Sequence, residues 1–307
     1  MLKMFLFWLA AIVITLGAAV YQRTTGPTYP KKIEILVNDQ EADLKLVRSI
    51  SLDDPPEVKL NIEDTSVEAK LFFRRYMTKD EFTEVNFKYN EYPVDSWLMN
   101  KVFKIDVEKG LFAAVDQQPP AGKVEYYFEI TDQAGSKTYF DENPIVIRFK
   151  GAVPATVLTP HIFFMFFAML LAVLTGILAL FKNKNYRKYT FITFVLLFIG
   201  GMILGPVVQK YAFGEFWTGV PFGWDLTDNK TLIAFVFWLL AVIGNVRKER
   251  RWLSVLASVI LLLVYSIPHS MFGSQLDYES GEVTQGMFLM LPLAGYYIKM
   301  LWNSLLN

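Results

Sequence analysis

The sequence predicts a polytopic α-helical membrane protein with an all-β domain inserted between its first and second transmembrane helices. Three observations carry this. The 307 residues are 53% hydrophobic with a mean hydropathy of +0.30, too apolar for an ordinary soluble domain. The apolar residues concentrate at the N-terminus and after residue 155, with a polar, strand-patterned block between them. Two short linkers in the apolar C-terminal half each carry four basic residues, whereas the alternate linkers are acidic or mixed.

Residues 4–21, MFLFWLAAIVITLGAAVY, are about as long as a bilayer-spanning helix. Gly17-Ala18-Ala19 also offers a signal-peptidase cut, but the apolar run is long for a signal sequence. Residues 1–22 therefore read as an uncleaved anchor. Residues 27–152 alternate apolar and polar positions at Lys31–Ile35, Val58–Ile62, Val67–Tyr76 and Gly122–Ile130, as half-buried strands do. A turn at Thr131–Ser136 and a last strand at Ile145–Phe149 complete the pattern of an antiparallel β-sandwich. The stretch AGKVEYYFEITDQAGSKTY resembles the late hairpin of immunoglobulin-like and fibronectin-type modules, a likeness of architecture without implied activity.

Residues 155–307 read as five further helices, at about 159–181, 189–208, 231–246, 252–269 and 286–304. Lys182, Lys184, Arg187 and Lys188 lie in one linker, and Arg247, Lys248, Arg250 and Arg251 in another. The positive-inside rule places both in the cytoplasm, which gives six spans, cytoplasmic termini and an external β-domain. Gly201 and Gly205, four apart before Pro206, read as a small-residue face for close helix packing. The formal net charge is zero, so bulk charge argues for neither a nucleic-acid partner nor an acidic substrate, and no nucleic acid is expected. There is no cysteine, so disulfides, thiolate catalysis, Cys-ligated zinc, iron–sulfur centres and covalent haem attachment are excluded.

The candidate site is the outer loop 211–231, whose core reads FGEFWTGVPFGWDLTDNKT. Phe213, Phe216, Trp217, Phe222 and Trp224 supply flat apolar rings, and Gly214, Gly219 and Gly223 allow close backbone approach. Asp225 and Asp228 stand beside them, and Thr227, Asp228 or Asp225 can serve as N-cap for the following helix. The chain's two histidines, His161 and His269, fall at the outer ends of other spans. Thr159 reads as the N-cap and Pro160 as the first helical residue before His161. Either histidine alone fits a simple hydrogen bond to a carbonyl. Together, at the same depth on the same side as the aromatic loop, they fit axial ligation of haem b, held non-covalently.

The order of these features resembles the haem-handling cytochrome c assembly family with its tryptophan-rich WWD motif. Phe213-Gly214-Glu215-Phe216-Trp217 matches the first half of that motif with phenylalanine for its first tryptophan, and Gly223-Trp224-Asp225-Leu226-Thr227-Asp228 matches the second. Pro268-His269-Ser270-Met271-Phe272-Gly273 is similar to the family's external L-H-S-Y-G, and His161 falls where its first external histidine stands. The likeness covers about residues 158–275; the loop is longer here, Leu226 replaces the usual proline, and the β-domain is an addition. It implies a protein of the bacterial inner membrane with a periplasmic β-domain. Haem would be held by His161, His269, Trp217, Trp224, Asp225, Phe213, Gly214 and Phe216. An apocytochrome c or another assembly subunit would be the partner, the membrane lipid its surroundings, and the role one of assembly rather than catalysis. The alternative is a non-enzymatic subunit of a larger membrane complex that keeps the fold without haem.

Overall fold

The computed structural model describes residues 1–94, 100–101, 104, 106–269, 271 and 273–284. The chain divides into two compact units. Among the described residues, one comprises Met1–Pro27, Ala152–Gln275 and 283–284; the other comprises Thr28–Gly151 and Leu276–Glu282.

The first unit is helical: α1 (Leu2–Thr25), α2 (Ala155–Leu180), α3 (Tyr186–Leu197), α4 (Gly205–Phe213), α5 (Leu226–Arg247) and α6 (Arg251–Ser266). A π-helical segment, Phe198–Leu204, joins α3 to α4, so Tyr186–Phe213 runs as one helix of 28 residues. Among the described residues, this helix, α1, α2 and α5 are long and apolar enough to cross a bilayer, and α6 is a shorter apolar helix of 16 residues. The chain is a membrane-spanning protein with a β-domain between its first two long helices. The sixth expected span, 286–304, lies outside the described residues.

Helix α2 organises the bundle. From Ala168 to Gly176 every residue is buried, as expected of a helix that is apolar all round and surrounded by others. Gly176 makes this possible: a Cβ there would lie 2.6 Å from Ser258 Oγ of α6. Ser258 Oγ in turn donates to the Ala172 carbonyl, the hydroxyl–backbone contact that close-packed membrane helices use. At the basic end, Asn245 ties the elements together. It accepts from Tyr186 Oη at 2.7 Å and from the Arg250 amide at 2.8 Å.

The second unit holds strands β1 (Lys31–Val37), β2 (Gln40–Leu46), β3 (Ser49–Ser51), β4 (Glu57–Leu60), β5 (Glu68–Arg75), β6 (Thr83–Asn86), β7 (Lys88–Pro93), β8 (Val107–Ala114), β9 (Lys123–Asp132), β10 (Gly135–Tyr139) and β11 (Ile145–Lys150). One sheet runs β3-β11-β9-β5-β6 with β10 also on β9, a second runs β4-β8-β7, and β1-β2 form a separate hairpin. Inward residues of all three share one core, including Leu44, Val58, Leu71, Tyr126, Phe128 and Ile147. Alternation along β9 buries Val124, Tyr126, Phe128 and Ile130, the period-two pattern legible in the sequence. The sandwich is not wholly antiparallel, because β3 pairs with β11 in parallel. Positive φ at Asn38 (48°) and Asp39 (60°) turns β1 into β2, a conformation these two residue types tolerate.

Residues Leu276–Glu282 join the β unit although they follow α6 in the chain. Tyr278 Oη accepts from the Lys123 amide at 2.9 Å and donates to the Lys123 carbonyl at 2.8 Å, while the Leu276 amide donates to Ala121 O. The sequence showed this stretch only as an acidic linker.

Candidate functional site

Helix α2 begins at Ala155 with Pro154 as its N-cap, five residues earlier than a Thr159 cap would place it. Pro160 therefore sits inside the helix and His161 in its second turn. The expectation that Thr159 caps the helix is corrected. Apolar residues Val157 and Leu158 extend the helix back toward Pro154, whose carbonyl accepts from both their amides.

His161 Nδ1 lies 2.9 Å from the Gly200 carbonyl. A carbonyl only accepts, so Nδ1 carries the hydrogen and Nε2 keeps its lone pair. The π segment sets this up: in place of the α-helical spacing, the Gly205 amide reaches back to Gly200 O, which serves both donors. Gly200 also permits the approach, because a Cβ there would lie 2.9 Å from Phe164 Cβ and 3.1 Å from the Met165 amide. The glycines of Gly200–Gly205 thus do more than pack helices. Gly201 faces Thr231 of α5 (Cγ2 2.9 Å from a built Cβ), and Gly205 lies beside the His161 ring (Cε1 at 3.9 Å).

His269 follows α6 in the turn after Ile267-Pro268. The far end of α1 braces this corner: Gln22 Nε2 donates to Tyr265 O at 2.9 Å. Surrounding protein, then the Lys230 ammonium and His161, push the His269 pKa down to about 3. The residue nevertheless keeps open surface. The imidazole is in its neutral form at physiological pH. The two imidazoles are within electrostatic reach of one another.

Lys230 is the residue that sequence reasoning missed. It is 3% exposed, donates to Ile267 O at 2.8 Å, and lies within electrostatic reach of Asp225 and His269. Placing the helix start near 229–231 left Lys230 in the loop. The Asp225–Asp228 spacing was the available signal, since an acid three residues after an N-cap acid opens many helices.

Of the three capping candidates, Asp225 is the one that caps α5. Its Oδ1 accepts from the Thr227 amide at 2.7 Å and the Asp228 amide at 3.3 Å, and its Oδ2 from Ser274 Oγ at 3.3 Å. Asp228 instead folds the loop back, accepting from the Thr218 amide at 2.6 Å. Gly219 lets the loop pass close to the helix, as a Cβ there would meet Asp228 Cβ at 2.6 Å. Trp217 Nε1 donates to Val220 O at 3.1 Å within the same turn. Phe213 ends α4, and Gly214 (φ 89°) is its left-handed C-cap with open space where a Cβ would point. That role is helix termination rather than close approach to a ring. Lys210 Nζ closes this cap on Gly214 O and lies 5.4 Å over the Phe216 ring. Phe216 (55%), Trp224 (55%) and Phe222 (81%) are exposed, so this aromatic face is not a packed core.

Of the expected residues, His269 lies within electrostatic reach of His161 and Lys230, and Lys230 within reach of Asp225. Phe213 and Gly214 belong to the end of α4, and Phe216, Trp217 and Trp224 to the loop. Among the described residues, no three His, Asp or Glu side chains cluster as a metal centre. The His161 ring is held in one tautomer by its Nδ1 bond to Gly200 O. Fold and site together define a membrane-spanning protein with an inserted β-domain, two imidazoles within electrostatic reach of one another, and a buried lysine near one of them. No family model matches the chain, and no curated protein and no solved structure shows significant similarity to it.

Proposed function

We propose that this protein binds haem at the outer end of its helical bundle, with His161 and His269 as axial ligands, and serves in cytochrome c assembly or haem handling. The observation that carries the reading is the His161 Nδ1–Gly200 carbonyl bond at 2.9 Å. It fixes the ring and leaves Nε2 as a donor to iron, as metal-ligating histidines generally require. His269, neutral and within electrostatic reach, is the second ligand. The Lys230 ammonium complements an acidic ligand such as the haem propionates. Haem supplies the iron and its redox couple; the chain's residues bind and orient it. The positive-inside pattern supports six spans in a bacterial inner membrane, with cytoplasmic termini and a periplasmic β-domain that docks an apocytochrome or assembly subunit.

The full chain, purified in detergent and titrated with haemin, should develop a Soret band of bis-histidine type. His161→Ala and His269→Ala should each shift it, and Lys230→Met should weaken binding without shifting it. A band unaffected by both histidine changes would refute the assignment. A second reading, a partner-docking subunit without haem, is favoured by one observation. Phe216, Phe222 and Trp224 are exposed while Asp225 and Asp228 are engaged in folding the loop. Purification with a stoichiometric partner and no haem uptake would support it.

A further inference from the structure

The opposite, basic end of the bundle holds a groove that neither the outer site nor the β-domain uses. It has a volume of about 490 Å³, within the general range of small-molecule sites of roughly 300–1,000 Å³. Ala179 and Leu180 of α2 and Val255, Leu256 and Val259 of α6 form its apolar walls, and Lys182, Arg251 and Trp252 close one end. The polarity is therefore graded along the groove, apolar within the bundle and cationic at its end.

The two cations differ from their basic neighbours. Arg187 donates to the carbonyls of Asn245 and Val246 and so caps the end of α5. Lys182 makes no ion pair among the described residues. It occupies the left-handed position after α2 (φ 57°), where glycine is the comfortable residue. The turn holds it through the Lys182 amide on Ala179 O and the Asn183 amide on Leu178 O. Arg251 pairs on one side with Glu249 at 2.7 Å, but its buried Nε has no hydrogen-bond partner. Trp252 is 62% exposed beside it, an amphipathic ring of the kind that sits at headgroup level.

We propose that this groove is a binding site for an anionic phospholipid. One acyl chain lies between α2 and α6, and the phosphate is held by Lys182 and Arg251. Membrane lipid covers any outward helix face; a pair of cations at the end of an apolar groove makes this one selective for anionic headgroups.

The test uses the full chain in nanodiscs of equal parts phosphatidylcholine and phosphatidylglycerol, followed by native mass spectrometry of the released protein. The wild type should retain phosphatidylglycerol in preference to phosphatidylcholine. Lys182→Gln with Arg251→Gln should cut that retention roughly ten- to thirty-fold, the scale for two basic groups beside an anionic headgroup. Lys188→Gln with Lys248→Gln, which removes two cations at the same end but outside the groove, should leave it intact. Val259→Trp, which fills the apolar part, should reduce it. Lys182→Gly removes the cation while relieving the left-handed backbone, so lipid loss there does not reflect unfolding. Equal retention of both lipids by the wild type, unchanged retention in the Lys182/Arg251 variant, or an equal loss in the Lys188/Lys248 control would overturn the proposal.

Discussion

Gly200→Ala tests the arrangement on which the outer site depends. The new methyl would lie 2.9 Å from Met165 Sδ, 2.9 Å from Phe164 Cβ and 3.1 Å from the Met165 amide. The sulfur sits on a flexible side chain and can swing away. Phe164 Cβ and the Met165 amide belong to the rigid backbone of α2 and cannot. The helices must therefore separate by several tenths of an ångström, an overpacking cost of about 1–3 kcal/mol. Separation also stretches the 2.9 Å bond from His161 to Gly200 O, worth a further 0.5–1.5 kcal/mol or so. Together these give a loss of about 2–4 kcal/mol. The assay is equilibrium unfolding of the full chain in mixed micelles, followed by tryptophan fluorescence. His161→Phe and the double variant complete a thermodynamic cycle. A coupling of about 0.5–1.5 kcal/mol isolates the histidine–carbonyl bond from the packing. A Gly200→Ala loss below about 0.5 kcal/mol, the ordinary size of a substitution away from any special feature, would refute the close approach. A coupling of zero would refute the bond. On the haem reading, Gly200→Ala also weakens haem affinity by about 10–100-fold, the effect of losing a partner behind a ligand.

Asp225→Ala should destabilise the start of α5 by about 1–2 kcal/mol, while Asp225→Asn, which also caps, should restore most of it. Hydrogen exchange at Thr227 and Asp228 reads this directly, and equal losses in both variants would point to a role for the charge instead of the cap. In the β-domain, burial and then the Arg148 guanidinium lower the Lys123 pKa to about 8. The unfolded chain keeps that proton to about pH 10.4, so the penalty on the fold is complete below pH 8 and relieved as pH rises from 8 toward 10.4. Lys123→Met should therefore stabilise β9 at pH 7, by about 1–2 kcal/mol after allowing for partial exposure, and flatten its pH dependence above 8. Amide exchange along β9 at pH 7 and 9.5 measures both, and a wild-type strand that does not gain protection with pH beyond the chemical exchange rate would contradict it.

Patterns that depend on neighbours in the chain were legible from the residues. The apolar runs gave α1, α2, the 28-residue helix and α5, with ends up to five residues from those observed. The two-residue alternation gave β1, β4, β5, β9 and β11. Helix starts were read less well at α2 and α5, where Pro160 and the Asp225–Asp228 pair each admitted more than one cap. The loop's glycines and acids looked like parts of a ligand site. Several of them fold the loop itself, and only hydrogen-bond partners distinguish the two uses.

The sequence by itself determined that the chain is membrane-spanning, that a polar β-domain interrupts its helices, and that two histidines flank an aromatic loop. These follow from hydropathy and period, which are properties of consecutive residues. Tertiary structure alone decided that Gly200 offers His161 a carbonyl, that Lys230 is buried beside His269, that β3 runs parallel to β11, and that Leu276–Glu282 returns to the β unit. Each joins residues tens to hundreds of positions apart. Such contacts arise from where helices and strands come to rest against one another, and no local pattern of residues records them.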